Sequence, residues 1–156
     1  MAILKSGGQV VLMRHTVTSP GVGDPPGMTL DDCSTQRNLT DEGRRNAKAI
    51  GETLRAAGIA FDRVAASPLC RCKETAQLVF GRVDELQAAT MRGDREVREM
   101  RAFAAEKRRG NAVLVSHGTT IHNAIGIDMN PGEMVVITPL GKGRYEVRGK
   151  LSPGEQ

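Results

Sequence analysis

The sequence has no tryptophan, a single tyrosine and only three phenylalanines. With so few aromatic faces it has little on which to stack exposed bases, which argues against a single-stranded nucleic-acid binder. It also lacks any block of five or more lysines and arginines, so no basic patch marks a nucleic-acid or membrane surface. No apolar run approaches the ~20 residues of a membrane span. Residues 1–8 lack the apolar stretch of ~7–15 residues that marks a signal peptide, so a cytoplasmic location is expected. Cysteine is scarce too: Cys33, Cys70 and Cys72 are odd in number and lack zinc-finger spacing. Two apart on a helix, Cys70 and Cys72 would point about 200° away from each other. Small packing residues in a reducing compartment are the expectation, although whether Cys33 meets Cys70 stays open.

What is present is ordinary for a globular protein: 156 residues, 39% hydrophobic and 26% charged, with a net charge of +4. That length suits one domain over residues 1–156, able to bury a sizeable core. Residues 9–13 are a short apolar run ending in Arg14-His15 and read as a buried strand of a parallel sheet. Residues 16–39, rich in Pro and Gly, form a loop long enough to expect a functional reason for it. Thr40 is placed to cap a helix in which Ala47, Ile50, Leu54 and Ala57 keep helical spacing up to Gly58. A strand at 63–66 follows, and then Ser67 and Pro68 as N-cap and first residue of a helix through Phe80. Leu69, Cys72, Ala76 and Val79 face inward there. A short strand is expected at 83–86, a helix capped by Asp94 and ended by Gly110, a strand at 111–116 and a helix at 119–125. Strands at 133–138 and 144–150 pair antiparallel across a Pro/Gly turn. The alternation predicts an α/β three-layer sandwich, its mostly parallel sheet covered by helices on both faces and its C-terminal strands antiparallel.

Three of these strands end alike: in Arg14-His15, in Ser67-Pro68 leading to Arg71, and in Ser116-His117-Gly118. The carboxyl ends of parallel strands share one edge, where open α/β sheets place ligands. Arg71 lies in a helix's first turn, where a cation opposes the macrodipole unless an anion sits between them. A strand-end histidine is often only a hydrogen-bonded core residue. Two of three histidines at equivalent strand ends, one directly after an arginine, point instead to an anion site. Arg14 and His15 reach one pocket only if the chain leaves the strand there.

Val11-Leu12-Met13-Arg14-His15-Thr16 resembles the signature strand of the histidine phosphatase superfamily, the phosphoglycerate mutase-like fold. Ser67-Pro68-Leu69-Cys70-Arg71 with Glu74-Thr75-Ala76 is similar to its second motif, and Val113 to Gly118 to its third. The Leu39-Thr40-Asp41-Glu42-Gly43 helix start also fits. The resemblance implies a small, metal-independent phosphatase needing no cofactor, with His15 as nucleophile and Arg14, Arg71 and His117 on the phosphoryl oxygens. It places a general acid in the region of Glu85, with Asp31 and Asp32 as loop alternatives. Thr16 stands where the family usually has glycine. Thr18 and Asn38 are candidates for an asparagine usually found after the first motif, and Arg37 and Gly118 for further substrate contacts. The partner implied is a phosphorylated small molecule or a phosphohistidine protein. The alternative is a phosphate-binding or regulatory protein of the same fold without turnover.

Overall fold

In a computed structural model, which describes residues 1–21, 23–87 and 93–152, six strands form one sheet in the order β3-β2-β4-β1-β5-β6. They are β1 (Val10–Arg14), β2 (Arg63–Ala66), β3 (Glu85–Leu86), β4 (Ala112–Ser116), β5 (Met134–Gly141) and β6 (Arg144–Leu151). The four strands from β3 to β1 run parallel, while β5 and β6 are antiparallel to their neighbours. The helices are α1 (Ala2–Lys5), α2 (Asp41–Ala56), α3 (Cys70–Phe80), α4 (Asp94–Ala105) and α5 (Gly118–Ile125).

The period of two along each strand divides the core into two layers. Val11, Met13, Val64, Ala66, Val113 and Val115 face Ala47, Ile50, Leu54, Ala76 and Val79 of α2 and α3. Their alternates Val10, Leu12, Ala65, Ala112 and Leu114 meet Met100, Phe103, Ala104, Ile121 and Ala124 of α4 and α5. Burial on both faces explains why these strands read as continuous apolar runs rather than alternating ones. Arg14 lies beside Ser116, and Ala66 beside Val115, so β1, β2 and β4 end together on one edge.

Just past that edge the chain crosses α2. The Thr16 hydroxyl donates to the Gly43 carbonyl at 2.8 Å, and a Cβ on Gly43 would overlap the Val17 carbonyl. Only glycine lets the strand exit lie this close to the helix. Thr40 caps α2 as expected, its hydroxyl accepting from the Gly43 N–H at 3.0 Å.

Several boundaries differ from expectation. Helix α3 begins at Cys70 with Leu69 as N-cap; the Ser67 hydroxyl lies 2.8 Å from His117 Nε2 and accepts only a long 3.5 Å bond from the Leu69 N–H. Gly93, not Asp94, is the N-cap of α4, at φ 121°. Asp94 occupies the first turn, where the macrodipole favours a carboxylate. The helix ends at Ala105, short of Gly110, whose Cα packs so closely on Asp62 that a Cβ would overlap its carboxyl. The strand expected at 83–86 shrinks to two residues, and α1 had no signal in the sequence.

Cysteine departs furthest. Cys33, in a short 3-10 turn (Cys33–Thr35), and Cys70 form a disulfide across 37 residues, and only Cys72 is free and buried. Cys70 and Cys72 do diverge on α3, one toward the loop and the other toward His117. Disulfides persist in oxidising compartments, so this bond runs against the reducing, cytoplasmic setting expected from the sequence. Among the described residues no helix is long and apolar enough to cross a membrane.

Candidate active site

The shared sheet edge opens into a cavity of about 620 Å³ lined by Arg14, His15, Arg37, Arg71, His117 and Gly118, among others. Strand β1 ends at Arg14, and its exit brings both Arg14 and His15 to the cavity. The His15 N–H donates to the Ser116 carbonyl at 3.1 Å, and the Gly132 N–H lies within reach of the Arg14 and His15 carbonyls.

His15 is only 3% exposed. Its Nδ1 lies 2.8 Å from the Thr16 carbonyl. A carbonyl only accepts, so Nδ1 carries the proton and Nε2 keeps its lone pair. Burial, opposed by that hydrogen bond and aided by Arg71, Arg14 and Arg37, lowers the His15 pKa to about 4. The ring is therefore a neutral, oriented base at physiological pH. The His117 ring lies edge-on, 5.6 Å from that of His15 between centroids. Burial, then Arg71 and His15, take His117 to about 3. Its Nε2 is 2.8 Å from the Ser67 hydroxyl, with the Cys72 sulfur 3.6 Å away. Cys72 is no competing nucleophile, since burial pushes its thiol up to about 12.

Three guanidinium groups complete the wall. Arg14 donates to the Met129 carbonyl at 2.7 Å, Arg37 to the Thr18 hydroxyl at 2.6 Å and Arg71 to the Asp24 carboxylate at 2.8 Å. Each nevertheless keeps a buried Nε–H with no partner among the described residues. Buried donors are rarely left unmatched. All three side chains line the same cavity. Gly118 permits this packing, because a Cβ there would stand 3.1 Å from the Arg14 Nε and 3.3 Å from its Cζ. Gly118→Ala should push the Arg14 head aside and weaken inorganic phosphate binding about tenfold, the worth of one charge-assisted hydrogen bond. Calorimetric titration measures this, with the melting temperature close to wild type because the displaced atoms belong to a flexible side chain.

The remaining sequence candidates divide. Arg37 and Gly118 line the cavity. Thr16 faces α2 through its hydroxyl, and its backbone N–H reaches the Thr75 hydroxyl at 3.3 Å. Thr18 serves as the acceptor that holds Arg37. Asn38 donates to the Cys33 carbonyl and lines a separate cavity beside the disulfide. Glu85 is not brought to the site, since Arg63 holds its carboxylate at 2.6 Å from the neighbouring strand. Asp32 caps the 3-10 turn, and His122 pairs with Asp128 on the surface. The carboxyl group the cavity does contain is Glu96, on the first turn of α4. Burial pushes Glu96 up, against a hydrogen bond from Thr120. Among the described residues no three His, Cys, Asp or Glu side chains cluster as a metal-donor set.

Fold and cavity together define an α/β protein whose sheet edge gathers three arginines around a neutral, oriented imidazole. The chain belongs to the histidine phosphatase superfamily (branch 1), whose model matches residues 10–102. It is 36% identical over 84 residues to the mitochondrial serine/threonine-protein phosphatase Pgam5 of Drosophila virilis. That stretch is 53% of this chain and 25% of the relative, so the chain spans only a fraction of the curated relatives it matches. Among solved structures, the protein histidine phosphatase SixA complexed with tungstate superposes with a TM-score of 0.68 at 16% identity, over 93% of this chain and 97% of that one. Phosphoserine phosphatase from Entamoeba histolytica gives 0.68 at 16%, over 92% and 96%. These two likenesses are of fold.

Proposed function

We propose that the protein is a phosphatase that passes the phosphoryl group of a phosphomonoester through a phosphohistidine on His15. One observation carries this reading: the side chains of Arg14, Arg37 and Arg71 line the cavity that also receives a neutral His15. Nε2 attacks phosphorus, a P–N bond forms and the P–O bond to the leaving group breaks. Arg14, Arg37 and Arg71 stabilise the charge spread over the transferring oxygens, so positive charge is supplied without a metal ion. An alkoxide leaves poorly unless a proton reaches its oxygen. Glu96, biased toward its protonated form by burial, is the carboxyl in this cavity able to supply it. The same carboxylate then takes a proton from the water that cleaves the P–N bond, which returns His15 and Glu96 to their starting states. The presence of this carboxyl favours a phosphomonoester over a phosphoramidate, whose nitrogen leaving group depends less on such help. The disulfide favours an oxidising compartment as the site of action.

The test is rapid mixing with radiolabelled 4-nitrophenyl phosphate followed by alkaline quench. A burst of nitrophenol matched by alkali-stable, acid-labile label on the peptide containing His15 is expected. Absence of both label and turnover from pH 4 to pH 9 would leave the protein a phosphate-binding member of the fold.

A further inference from the structure

The Arg71 guanidinium and the Asp24 carboxylate are 5% and 4% exposed and meet at 2.8 Å. Asp24 lies 47 residues from Arg71 in the chain, in the long loop after β1. Its Oδ1 accepts from Arg71 Nη1 and its Oδ2 from Arg71 Nη2 at 3.3 Å, a two-point grip on the outer end of the guanidinium. Oδ1 also accepts from the Arg37 backbone N–H at 3.0 Å, and the Arg37 carbonyl lies 3.4 Å from Arg71 Nη1. Asp24 therefore joins two of the three arginines of the cavity. Nη1 and Nη2 thus have acceptors, while Nε–H has no partner among the described residues.

Resting on the phosphatase reading above, we infer that Asp24 is a positioning residue, which fixes the outer edge of Arg71 so that the guanidinium is held at the cavity wall for the phosphoryl group. A planar guanidinium on a long stem has several ways to face a cavity, and a bidentate carboxylate selects one of them. The loop that carries Asp24 is itself pinned to α3. The Gln36 side chain accepts from the Cys70 N–H at 2.8 Å, and Cys33 is bonded to Cys70, the residue next to Arg71. Charge supports the same role. With both histidines neutral and Glu96 left aside, three guanidinium groups against the Asp24 carboxylate leave the cradle positive, opposite in sign to a phosphate dianion.

The competing description makes Asp24 an internal anion that occupies the site and must be displaced. The two differ in sign. Removing a negative charge from an anion site strengthens anion binding by electrostatics alone, so weaker binding on Asp24→Asn is the mark of lost positioning. Inorganic phosphate binding, measured by calorimetry, and hydrolysis of 4-nitrophenyl phosphate are compared in wild type, Asp24→Asn, Arg71→Ala and the double variant. Asp24→Asn should weaken phosphate binding about tenfold and raise KM by a similar factor. In the Arg71→Ala background the same change should cost less than about twofold, because acting through one partner makes the two losses non-additive. Unchanged or tighter phosphate binding in Asp24→Asn, or losses that multiply in full, overturns the assignment. Should Asp24→Asn fail to fold, Asp24→Glu, which keeps the charge but displaces it by one methylene, is expected to show the same loss only when Arg71 is present. If the wild type hydrolyses nothing, the phosphatase reading fails alone, and the phosphate affinities still decide the role of Asp24.

Discussion

His15→Ala is expected to lower kcat for 4-nitrophenyl phosphate by a factor on the order of 10⁴–10⁶, the range seen when a covalent nucleophile is removed from an intact site. Inorganic phosphate should still bind within a few-fold of wild type, because Arg14, Arg37 and Arg71 are anchored by partners other than His15. Arg14 rests on the Met129 carbonyl, Arg37 on the Thr18 hydroxyl and Arg71 on Asp24. The split between lost turnover and retained binding is what separates a nucleophile from a ligand-binding histidine. Loss of binding in step with kcat would make His15 a binding residue, and activity within tenfold of wild type would remove it from the chemistry. The physical basis is narrow. The Thr16 carbonyl holds Nδ1, burial suppresses protonation, and so Nε2 is the basic atom left to attack.

The sheet edge that carries the cavity was legible in the sequence where local pattern decides structure. Residues 10–14, 63–66 and 112–116 are apolar runs too short for helices, and their carboxyl ends carry Arg14, His15, Ser67 and His117. A parallel sheet brings such ends together whatever the loops do. The helix of Thr40 and Gly43 was legible for the same reason, since its cap and spacing are local. What escaped depends on closure between distant segments. Asp24 meets Arg71 across 47 residues, and Cys33 meets Cys70 across 37, through a loop with no periodicity to fix its path. Nothing in the run Gly23-Asp24-Pro25-Pro26 distinguishes a buried carboxylate from a turn residue. Glu85 fails to reach the cavity for a related reason. Glu85 lies at the expected distance past the second motif, but strand β3 sets it beside Arg63, while α4 folds back and carries Glu96 to the cavity. Two acidic residues in a helix's first turn, Asp94 and Glu96, look like macrodipole partners in sequence, and only the packing of α4 on α5 and β5 tells them apart.

The same burial that keeps His15 reactive should make the fold sensitive to mild acid. In the unfolded chain both site histidines take up protons near pH 6.5, whereas in the fold His15 resists to about pH 4 and His117 to about pH 3. Between those limits the unfolded state binds more protons than the native state, so stability falls as pH falls. The stabilising contribution is fully present above pH 6.5. By pH 4 each histidine should have cost about 3 kcal/mol, a large share of the roughly 5–15 kcal/mol that holds a domain folded. Asp24 acts lower on the scale. Burial pushes its carboxyl up but the Arg71 and Arg37 hydrogen bonds outweigh it, so its contribution is lost only below the ordinary carboxylate range. Urea unfolding midpoints in phosphate-free buffer from pH 7.5 to pH 4 should therefore drop steeply below pH 6.5. Replacing His15 and His117 together by glutamine should flatten the profile over that window. Phosphate should flatten it too, because a bound anion beside the rings favours their protonated forms and opposes the effect of the arginines. A wild-type profile that stays level down to pH 4 would mean that the imidazoles take up protons in the fold as they do in the unfolded chain, and burial would not be what keeps His15 neutral.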